Sequence, residues 1–170
     1  GLNHVSLTIE EGEMTVLSGP SGSGKTTLLN AIGGLDEPNS GTISVDDVEI
    51  TGLTKAERAD VRLRRIGFVF QAYNLIPVLT VQENVEFVMQ LQGVTVSERK
   101  QRSLEILEEV GLTGLENRRP AQLSGGQQQR VAVARAIVSK PVLILADEPT
   151  ANLDTKTSAQ LLGLFTQLNR

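Results

Sequence analysis

The sequence of 170 residues contains no cysteine, which excludes disulfides, thiolate metal sites and thiol catalysis within it. It also lacks any apolar run near the ~18 residues that a membrane-spanning helix needs. The longest apolar runs, such as Val142–Ala146, have the length of a single strand. We also expect no signal peptide at the start of the sequence. We therefore expect that any crossing of a membrane is made by another chain or domain.

Basic residues are too few for a typical nucleic-acid-binding surface. The sequence has 16 Lys and Arg residues against 20 Asp and Glu residues, and its net charge is −4. Domains that bind nucleic acid are usually strongly basic, so we expect no nucleic-acid partner. The length indicates about one domain, and the composition is ordinary for a globular protein.

The clearest feature that is present is a glycine-rich stretch that fits the phosphate-loop pattern G-x-x-x-x-G-K-[ST]. It lies between a β-leaning run, residues 14–18, and an apolar run at helical spacing, residues 28–32. Glycines let the backbone aim N–H groups inward, and the new helix adds free N–H groups and a positive dipole end. Lys25 is expected to reach the β- and γ-phosphates, and the Thr26 hydroxyl to bind Mg²⁺. The predicted nucleotide-binding residues here are Gly19, Pro20, Ser21, Gly22, Ser23, Gly24, Lys25, Thr26 and Thr27.

A second candidate site follows the apolar run Val142–Ala146, which is typical of a central parallel strand. The run ends in Asp147 and Glu148, and carboxylates at such a strand end face the crevice where α/β sheets bind ligands. Asp147 is suited to Mg²⁺, directly or through water. Glu148 can polarise a water molecule in line with the γ-phosphate. A simple acidic turn is the alternative interpretation.

The remaining pattern indicates an α/β protein with a helical middle. Leu2–Ile9 and Ile66–Phe70 are predicted to be strands, and Thr42–Ile50 is predicted to be a hairpin. Capping boxes at Thr54-x-x-Glu57 and Thr80-x-x-Glu83 each predict a helix start. A further helix is predicted to start at Ser97 and to stop at Gly111. We expect a helical subdomain inserted into an α/β core.

The stretch Leu123-Ser124-Gly125-Gly126-Gln127 contains another capping box, formed by Ser124 and Gln127. Its two glycines stand in the first turn of the predicted helix, although Gly costs about 1 kcal/mol against Ala in a helix interior. A purely structural cap would not need them, whereas an anion could approach bare N–H groups closely. This pattern favours a second phosphate-binding helix terminus.

In this order, the motifs resemble the nucleotide-binding domain of an ATP-binding cassette (ABC) transporter, and the resemblance covers essentially the whole chain. Walker A alone is shared by many NTPases, but its combination with Leu-Ser-Gly-Gly-Gln and Asp-Glu-Pro is specific. The corresponding family motifs are Walker A at Gly19–Thr27, the Q-loop glutamine at Gln71, the signature sequence at Leu123–Gln127, Walker B at Val142–Glu148 and the D-loop at Ala151–Asp154.

The resemblance implies a P-loop NTPase (RecA-like) core with a small antiparallel β region and an inserted helical subdomain. The predicted bounds are 1–70 and about 136–170 for the core, and about 71–135 for the helical subdomain. It also implies that two cassettes pair head to tail around two ATP molecules. Each ATP would lie between Walker A of one copy and, in the other copy, Ser124, Gly125, Gly126 and Gln127.

The resemblance further assigns roles within the site. Glu148 would be the catalytic base, Gln71 would touch Mg²⁺ and the attacking water, and Asp154 would bridge the two sites. Membrane permease subunits would dock near Gln71–Glu83, at the cytoplasmic face of the membrane. The expected cofactors are ATP and Mg²⁺, and the implied metal-binding residues are Thr26, Gln71 and Asp147.

Within the family, segments such as Phe68–Gln71 and Asn74–Pro77 most resemble the branch that serves lipoprotein release, macrolide-type export and cell division. The family's adenine-stacking aromatic residue and switch histidine have no counterparts here, so we expect a cassette trimmed at both ends. Two alternatives stay open: a soluble ABC-type ATPase that acts on ribosomes or DNA, and a non-hydrolysing nucleotide-binding regulator. Glu148 argues against the regulator, because a degenerate site would be expected to lose its base.

Overall fold

The computed structural model describes residues 2–168, with six α-helices, four short strands and one 3₁₀ turn. The fold is α/β, as the sequence predicts. In chain order the elements are α1 (Lys25–Ile32), β1 (Ser44–Val45), β2 (Val48–Glu49), α2 (Lys55–Arg65), β3 (Ile66–Val69), α3 (Val81–Leu91), α4 (Val96–Glu109), the 3₁₀ turn (Pro120–Gln122), α5 (Gly125–Ile137), β4 (Leu143–Ala146) and α6 (Thr155–Leu168).

The parallel pair β3 and β4 positions the site. Ile66 lies opposite Leu143 and Val69 opposite Ala146, and the Asp147 N–H continues the ladder to the Val69 carbonyl at 2.9 Å. Helix α5 packs directly on β3. A Cβ at Gly67 would lie 2.3 Å from the Ala136 carbonyl oxygen, so only glycine permits this approach. The carboxyl ends of both strands therefore open beside α5.

Three groups of buried apolar side chains hold the elements together. The first joins α3, α4 and α5, the second joins the β1–β2 hairpin to β3 and β4, and the third lies between α5, β3 and α6. Helix α5 contributes to the first and third groups, so it connects the helical region to the sheet. Its fully buried side chains are Gln129, Val131, Ala132, Val133 and Ala134.

The local sequence signals are largely confirmed. The hairpin turns at Asp46 and Asp47, whose φ angles of 49° and 60° suit a tight two-residue turn. The capping boxes at Thr54 and Thr80 both form. Helix α4 begins at Val96, one residue before the predicted start at Ser97. Its N-cap is Thr95, whose hydroxyl accepts a hydrogen bond from the Glu98 N–H.

The strand predictions for residues 2–9 and 14–18 are wrong for this structure, which assigns no strand to either segment. A strand forms only where its backbone groups meet those of a neighbouring strand. Among the described residues β3 and β4 pair only with each other, so β4 is also not the central strand that its apolar run predicts. Ile144 is 37% exposed and Val16 is 76% exposed, since no element covers them. The alternation of apolar residues in the sequence predicts a strand, but it does not show whether a neighbouring strand is present to pair with it.

The irregular segment that follows β3 is shaped by Asn84 of α3, which is fully buried. Its Oδ1 accepts from the Ile76 N–H at 2.8 Å, and its Nδ2 donates to the carbonyls of Ile76, Leu79 and Thr80 at 3.1, 3.2 and 2.9 Å. One side chain thus fixes the backbone between the carboxyl end of β3 and α3. Across residues 2–168, none of the helices is both long and apolar enough to span a membrane.

Replacing Asn84 with Ala is expected to lower the free energy of unfolding by about 2–3 kcal/mol, because it removes four hydrogen bonds of a fully buried side chain and leaves the Ile76 N–H and the Leu79 carbonyl without this partner. Urea denaturation measures this loss. Asn30→Ala is the control, since the Asn30 amide contacts only the exposed Asp36 carboxylate, and its effect should stay within about 0.5 kcal/mol. Equal losses in both variants would contradict the role given to Asn84.

Candidate active site

The phosphate loop, residues 19–27, has the geometry that the sequence predicts at its junction with α1. Gly24 is the N-cap with a φ of 94°, and Gly22 has a φ of 80°, both in the left-handed region that favours glycine. A Cβ at Gly19 would lie 2.8 Å from the Ser23 Oγ. The loop is therefore tightly wound, and the free N–H groups of α1 open onto it.

The Lys25 ammonium lies across this loop. Its Nζ donates to the carbonyls of Gly19 at 2.7 Å and Pro20 at 3.1 Å. These contacts keep the cation directly over the loop on a long flexible stem. An anion bound in the loop would meet a charge that is already in place and can exchange a carbonyl for a phosphate oxygen.

The structure brings Thr26 and Asp147 together although they are 121 positions apart in the chain. The Thr26 Oγ1 donates to the Asp147 carboxylate at 3.0 and 3.2 Å. Within residues 2–168 no cluster of three or more His, Cys, Asp or Glu side chains could hold a metal. Mg²⁺ in nucleotide sites needs fewer protein ligands, because phosphates and waters complete its octahedron. The hydroxyl and carboxylate are hard oxygen ligands and fit this ion.

The acidic loop, residues 147–154, follows β4 and carries Glu148 in an exposed, left-handed conformation with a φ of 46°. A non-glycine residue at such an angle is uncommon and is held by its surroundings. The hold comes from Gln129 of α5, whose Nε2 donates to the Pro149 carbonyl at 2.7 Å. Gln129 is fully buried, and its Oε1 has no protein partner among the described residues. This side chain therefore fixes the backbone directly after Glu148.

The Gln71 turn, residues 71–74, is tied to two other parts of the site. Asn152 of the acidic loop donates to the Gln71 carbonyl at 3.1 Å. Arg135 of α5 donates to the carbonyls of Tyr73 at 2.9 Å and Asn74 at 2.6 Å. The Gln71 and Glu148 backbones are thus joined by hydrogen bonds through α5 and the acidic loop.

Sequence reasoning missed Gln129, Arg135 and Asn152. Arg135 is a charged residue within the apolar run 131–137 of α5, and this was a usable signal that it needs partners, whereas Gln129 stands in a polar run and gave no such signal. Their partners are backbone carbonyls distant in sequence, and no motif marks such acceptors.

The first turn of α5 borders a cleft of about 420 Å³. Ser124 caps the helix, with its Oγ accepting from the Gln127 N–H at 3.3 Å and the Gln127 Oε1 accepting from the Ser124 N–H at 2.9 Å. This predicted capping box is confirmed, and it leaves other N–H groups of the turn free for an anion. Residues of the phosphate loop do not line the cleft. The residues that line it are Gly111, Leu112, Ser124, Gly125, Gly126, Gln127, Arg130, Asn152, Leu153, Asp154, Thr157 and Gln160.

Both glycines of the signature sequence also have a packing role, which corrects the argument that a structural cap would not need them. A Cβ at Gly125 would lie 3.1 Å from the Tyr73 Oη, and a Cβ at Gly126 would lie 2.7 Å from the Thr157 Cγ2. The first turn of α5 is therefore pressed against the Gln71 turn and α6. Close packing and anion access both favour glycine here.

Asp154 caps α6 in this chain. Its carboxylate accepts from the Thr157 Oγ1 at 2.6 Å and the Thr157 N–H at 3.0 Å. The hydroxyl bond, followed by the backbone bond, holds the pKa of Asp154 below its ordinary value of 3.8. The carboxylate remains exposed on the edge of the cleft. It is fixed in direction by α6 and is accessible from outside.

A glycine loop over a helix N-terminus, a lysine on that loop and a threonine–aspartate pair define a nucleotide-binding domain of the P-loop class. A family model described as "ABC transporter" matches residues 2–151. The chain belongs to the ABC transporter family, as an ATP-binding cassette of the ATPase class.

Individual relatives agree with this assignment. The dimeric cassette MJ0796 of Methanocaldococcus jannaschii, solved in a post-hydrolysis state with ADP and Pi, superposes with a TM-score of 0.87 at 46% identity, covering 96% of this chain and 72% of that one. The lipoprotein-releasing system ATP-binding protein LolD of Legionella pneumophila is 43% identical, over 99% of this chain and 74% of that protein. The macrolide export ATP-binding/permease protein MacB of Campylobacter jejuni is 46% identical, over 99% of this chain and 26% of that protein. The predicted family, fold and resemblance to the lipoprotein-release and macrolide-export branch are confirmed.

Gly126→Ala is expected to lower the free energy of unfolding by about 1 kcal/mol, because overpacking against Thr157 outweighs the gain in helix propensity. Adding Thr157→Ser removes the opposing Cγ2 and keeps the hydroxyl that binds Asp154, so the double variant should recover the loss. Gly163→Ala in α6 is the matched control, since a Cβ there meets nothing within 4 Å, and it should be stabilising. Failure of Thr157→Ser to rescue would contradict the packing argument. Thermal denaturation measures all three.

Thr157→Val is expected to raise the pKa of Asp154 towards its ordinary value, because the hydroxyl donor that lowers it is lost. In the unchanged protein the depressed pKa stabilises the fold above the unfolded pKa, and this stabilisation disappears as the pH falls through the folded pKa. An NMR titration of the Asp154 carboxyl carbon measures the shift. Thr155→Val, in the same helix turn, should leave the titration unchanged, and an equal shift there would refute the assignment to Thr157.

Proposed function

We propose that the protein is the ATP-hydrolysing subunit of an ABC transporter, in which ATP joins two cassettes head to tail and hydrolysis separates them. The observation that carries the proposal is that the two candidate phosphate-binding segments, the phosphate loop and the signature sequence, do not line one common cleft. The phosphate loop and the signature sequence each present free helix N–H groups, but only the signature sequence lines the cleft of α5. This separation favours an arrangement in which a single ATP that uses both lies between two copies. The dimer of the related cassette MJ0796 supports this arrangement.

We propose that the phosphate loop binds the ATP phosphates through residues 19–27, with Lys25 transferring its Nζ contacts from loop carbonyls to the β- and γ-phosphates. Bound there, Mg²⁺ would supply positive charge against the phosphate oxygens. Thr26 and Asp147 would hold this ion, because their oxygens already converge at hydrogen-bond distance. Gln71 would complete the metal and water environment from the end of β3.

Glu148 is the proposed general base. It follows Asp147 directly, and the Gln129 bond to the Pro149 carbonyl holds the backbone next to it. Gln71 reaches the same region, since its carbonyl is bound by Asn152 of the same loop. The base accepts a proton from the attacking water as the oxygen approaches the γ-phosphorus.

In the proposed dimer, Ser124, Gly125, Gly126 and Gln127 of one copy contact the γ-phosphate held by the other. Asp154 is exposed at the edge of the same cleft and would face the second site. The helical subdomain, about residues 71–135, would present the signature sequence to the partner's nucleotide.

The proposed membrane partners are permease subunits that dock near Gln71–Glu83. Asn84 fixes the backbone of this segment, and Val78 within it is 71% exposed. A rigid turn is suited to receive a partner helix, because little conformational freedom is lost when the helix docks. The names of LolD and MacB refer to a releasing system and a permease, which supports a position at the cytoplasmic face of the membrane. Such partners would select the transported substrate.

Glu148→Gln in the full-length protein is expected to keep ATP binding, to abolish turnover and to yield an ATP-dependent dimer, because the nucleotide is trapped before hydrolysis. Phosphate release and sedimentation velocity measure the two effects. Glu11→Gln, in the exposed N-terminal turn, is the matched control and should behave like the unchanged protein. Unchanged hydrolysis by Glu148→Gln would refute its role, and a variant that stays monomeric with bound ATP would refute the shared site.

A further inference from the structure

We propose that Arg135 is a positioning residue that holds Gln71 in its active orientation by clamping the end of the Gln71 turn to α5. This inference rests on the proposed function, in which Gln71 acts on the metal and the water. Its geometry is independent of that function. The two terminal nitrogens of the guanidinium each donate to a backbone carbonyl, those of Asn74 and Tyr73, at 2.6 and 2.9 Å.

The Gln71 turn needs such a clamp because its backbone is unfavourable. Tyr73 and Asn74 have φ angles of 58° and 50°, in the left-handed region that non-glycine residues rarely adopt. Two successive residues in that region persist only when their surroundings determine the conformation. Local hydrogen bonds, from Tyr73 N–H to the Phe70 carbonyl at 3.2 Å and from Asn74 N–H to the Ala72 carbonyl at 2.6 Å, close the turn. They do not anchor it to the rest of the protein.

Arginine is the side chain that fits this task. Its planar fork can satisfy two neighbouring carbonyls at once, whereas an ammonium group acts as a single point. Arg135 is half-buried, and burial lowers its pKa. Within residues 2–168 it forms no ion pair, so the two carbonyl dipoles are its charge compensation.

The clamp also joins the turn to the helix that carries the signature sequence. The Tyr73 backbone contacts Arg135, near the end of α5, while its Oη lies near Gly125, in the first turn. Tyr73 therefore contacts α5 at two places, through its carbonyl to the Arg135 side chain and through its Oη to the first turn. In the proposed dimer the partner's nucleotide would contact the first turn of α5 beside Tyr73, so the Gln71 turn of the same chain would connect the two ATP sites.

The test uses the full-length protein and steady-state ATP hydrolysis. Arg135→Met should lower kcat by about tenfold or more while KM for ATP changes less than about twofold, since a misplaced catalytic group slows chemistry more than binding. Arg135→Lys, which can keep one of the two bonds, should lie between Arg135→Met and the parent. Arg99→Met in α4 is the matched control, because Arg99 also donates from a half-buried site to a carbonyl, that of Val94 at 2.7 Å. It should lose stability and keep its kcat.

A double-variant cycle separates positioning from general destabilisation. If Arg135 acts through Gln71, adding Arg135→Met to Gln71→Ala should cause little further fall in kcat. Multiplied losses in the double variant, or an unchanged kcat in Arg135→Met, would overturn the inference while leaving the proposed ATPase intact. If Arg135→Met does not fold, the double-variant cycle with Gln71→Ala is measured with Arg135→Lys instead, and the same outcomes apply. A parent protein that folds and binds ATP without hydrolysing it would overturn both proposals.

Discussion

The close approach of α5 to β3 is the constraint on which the rest of the structure depends. At Gly67 the helix lies so near the strand that a Cβ would meet the Ala136 carbonyl at 2.3 Å. Because the helix is fixed there, Gln129 reaches the Pro149 carbonyl and Arg135 reaches the Gln71 turn. One buried helix thus positions both loops that carry the proposed catalytic groups, and its first turn opens on the cleft.

The polar groups around the phosphate loop are already bound to one another in this structure. Lys25 contacts loop carbonyls and Thr26 contacts the Asp147 carboxylate. Each contact occupies a group that the proposed chemistry would use for phosphate or Mg²⁺. When phosphate and Mg²⁺ bind, Lys25, Thr26 and Asp147 would exchange their present polar partners for these ligands. No charged group would be left unpaired, so the desolvation penalty of binding stays small. The site is prepared for its ligands before they arrive.

The sequence predicts those features whose causes are local. Capping boxes at Thr54, Thr80 and Ser124 form because the interacting groups lie three residues apart. The phosphate loop is equally local. Its contact with Asp147 was implied by the family resemblance, which assigns Mg²⁺ to both Thr26 and Asp147. Strand partners are non-local, so the strands expected before the phosphate loop are not seen. The anchors Gln129 and Arg135 were missed for the same reason, since their partners are distant in the chain. Asn84 was missed although its partners lie four to eight residues away, because backbone groups carry no sequence signal.

The central claim is that one ATP is shared by the phosphate loop of one copy and the signature sequence of another. The cysteine-free sequence permits a direct measurement, with Ser21→Cys in one preparation of the Glu148→Gln protein and Gln122→Cys in a second. After mixing, a short bis-maleimide should join the two preparations in the presence of ATP and leave them separate without it. Two results would contradict the account. One is equal cross-linking with and without ATP, and the other is ATP-dependent cross-linking only between two Ser21→Cys copies or between two Gln122→Cys copies.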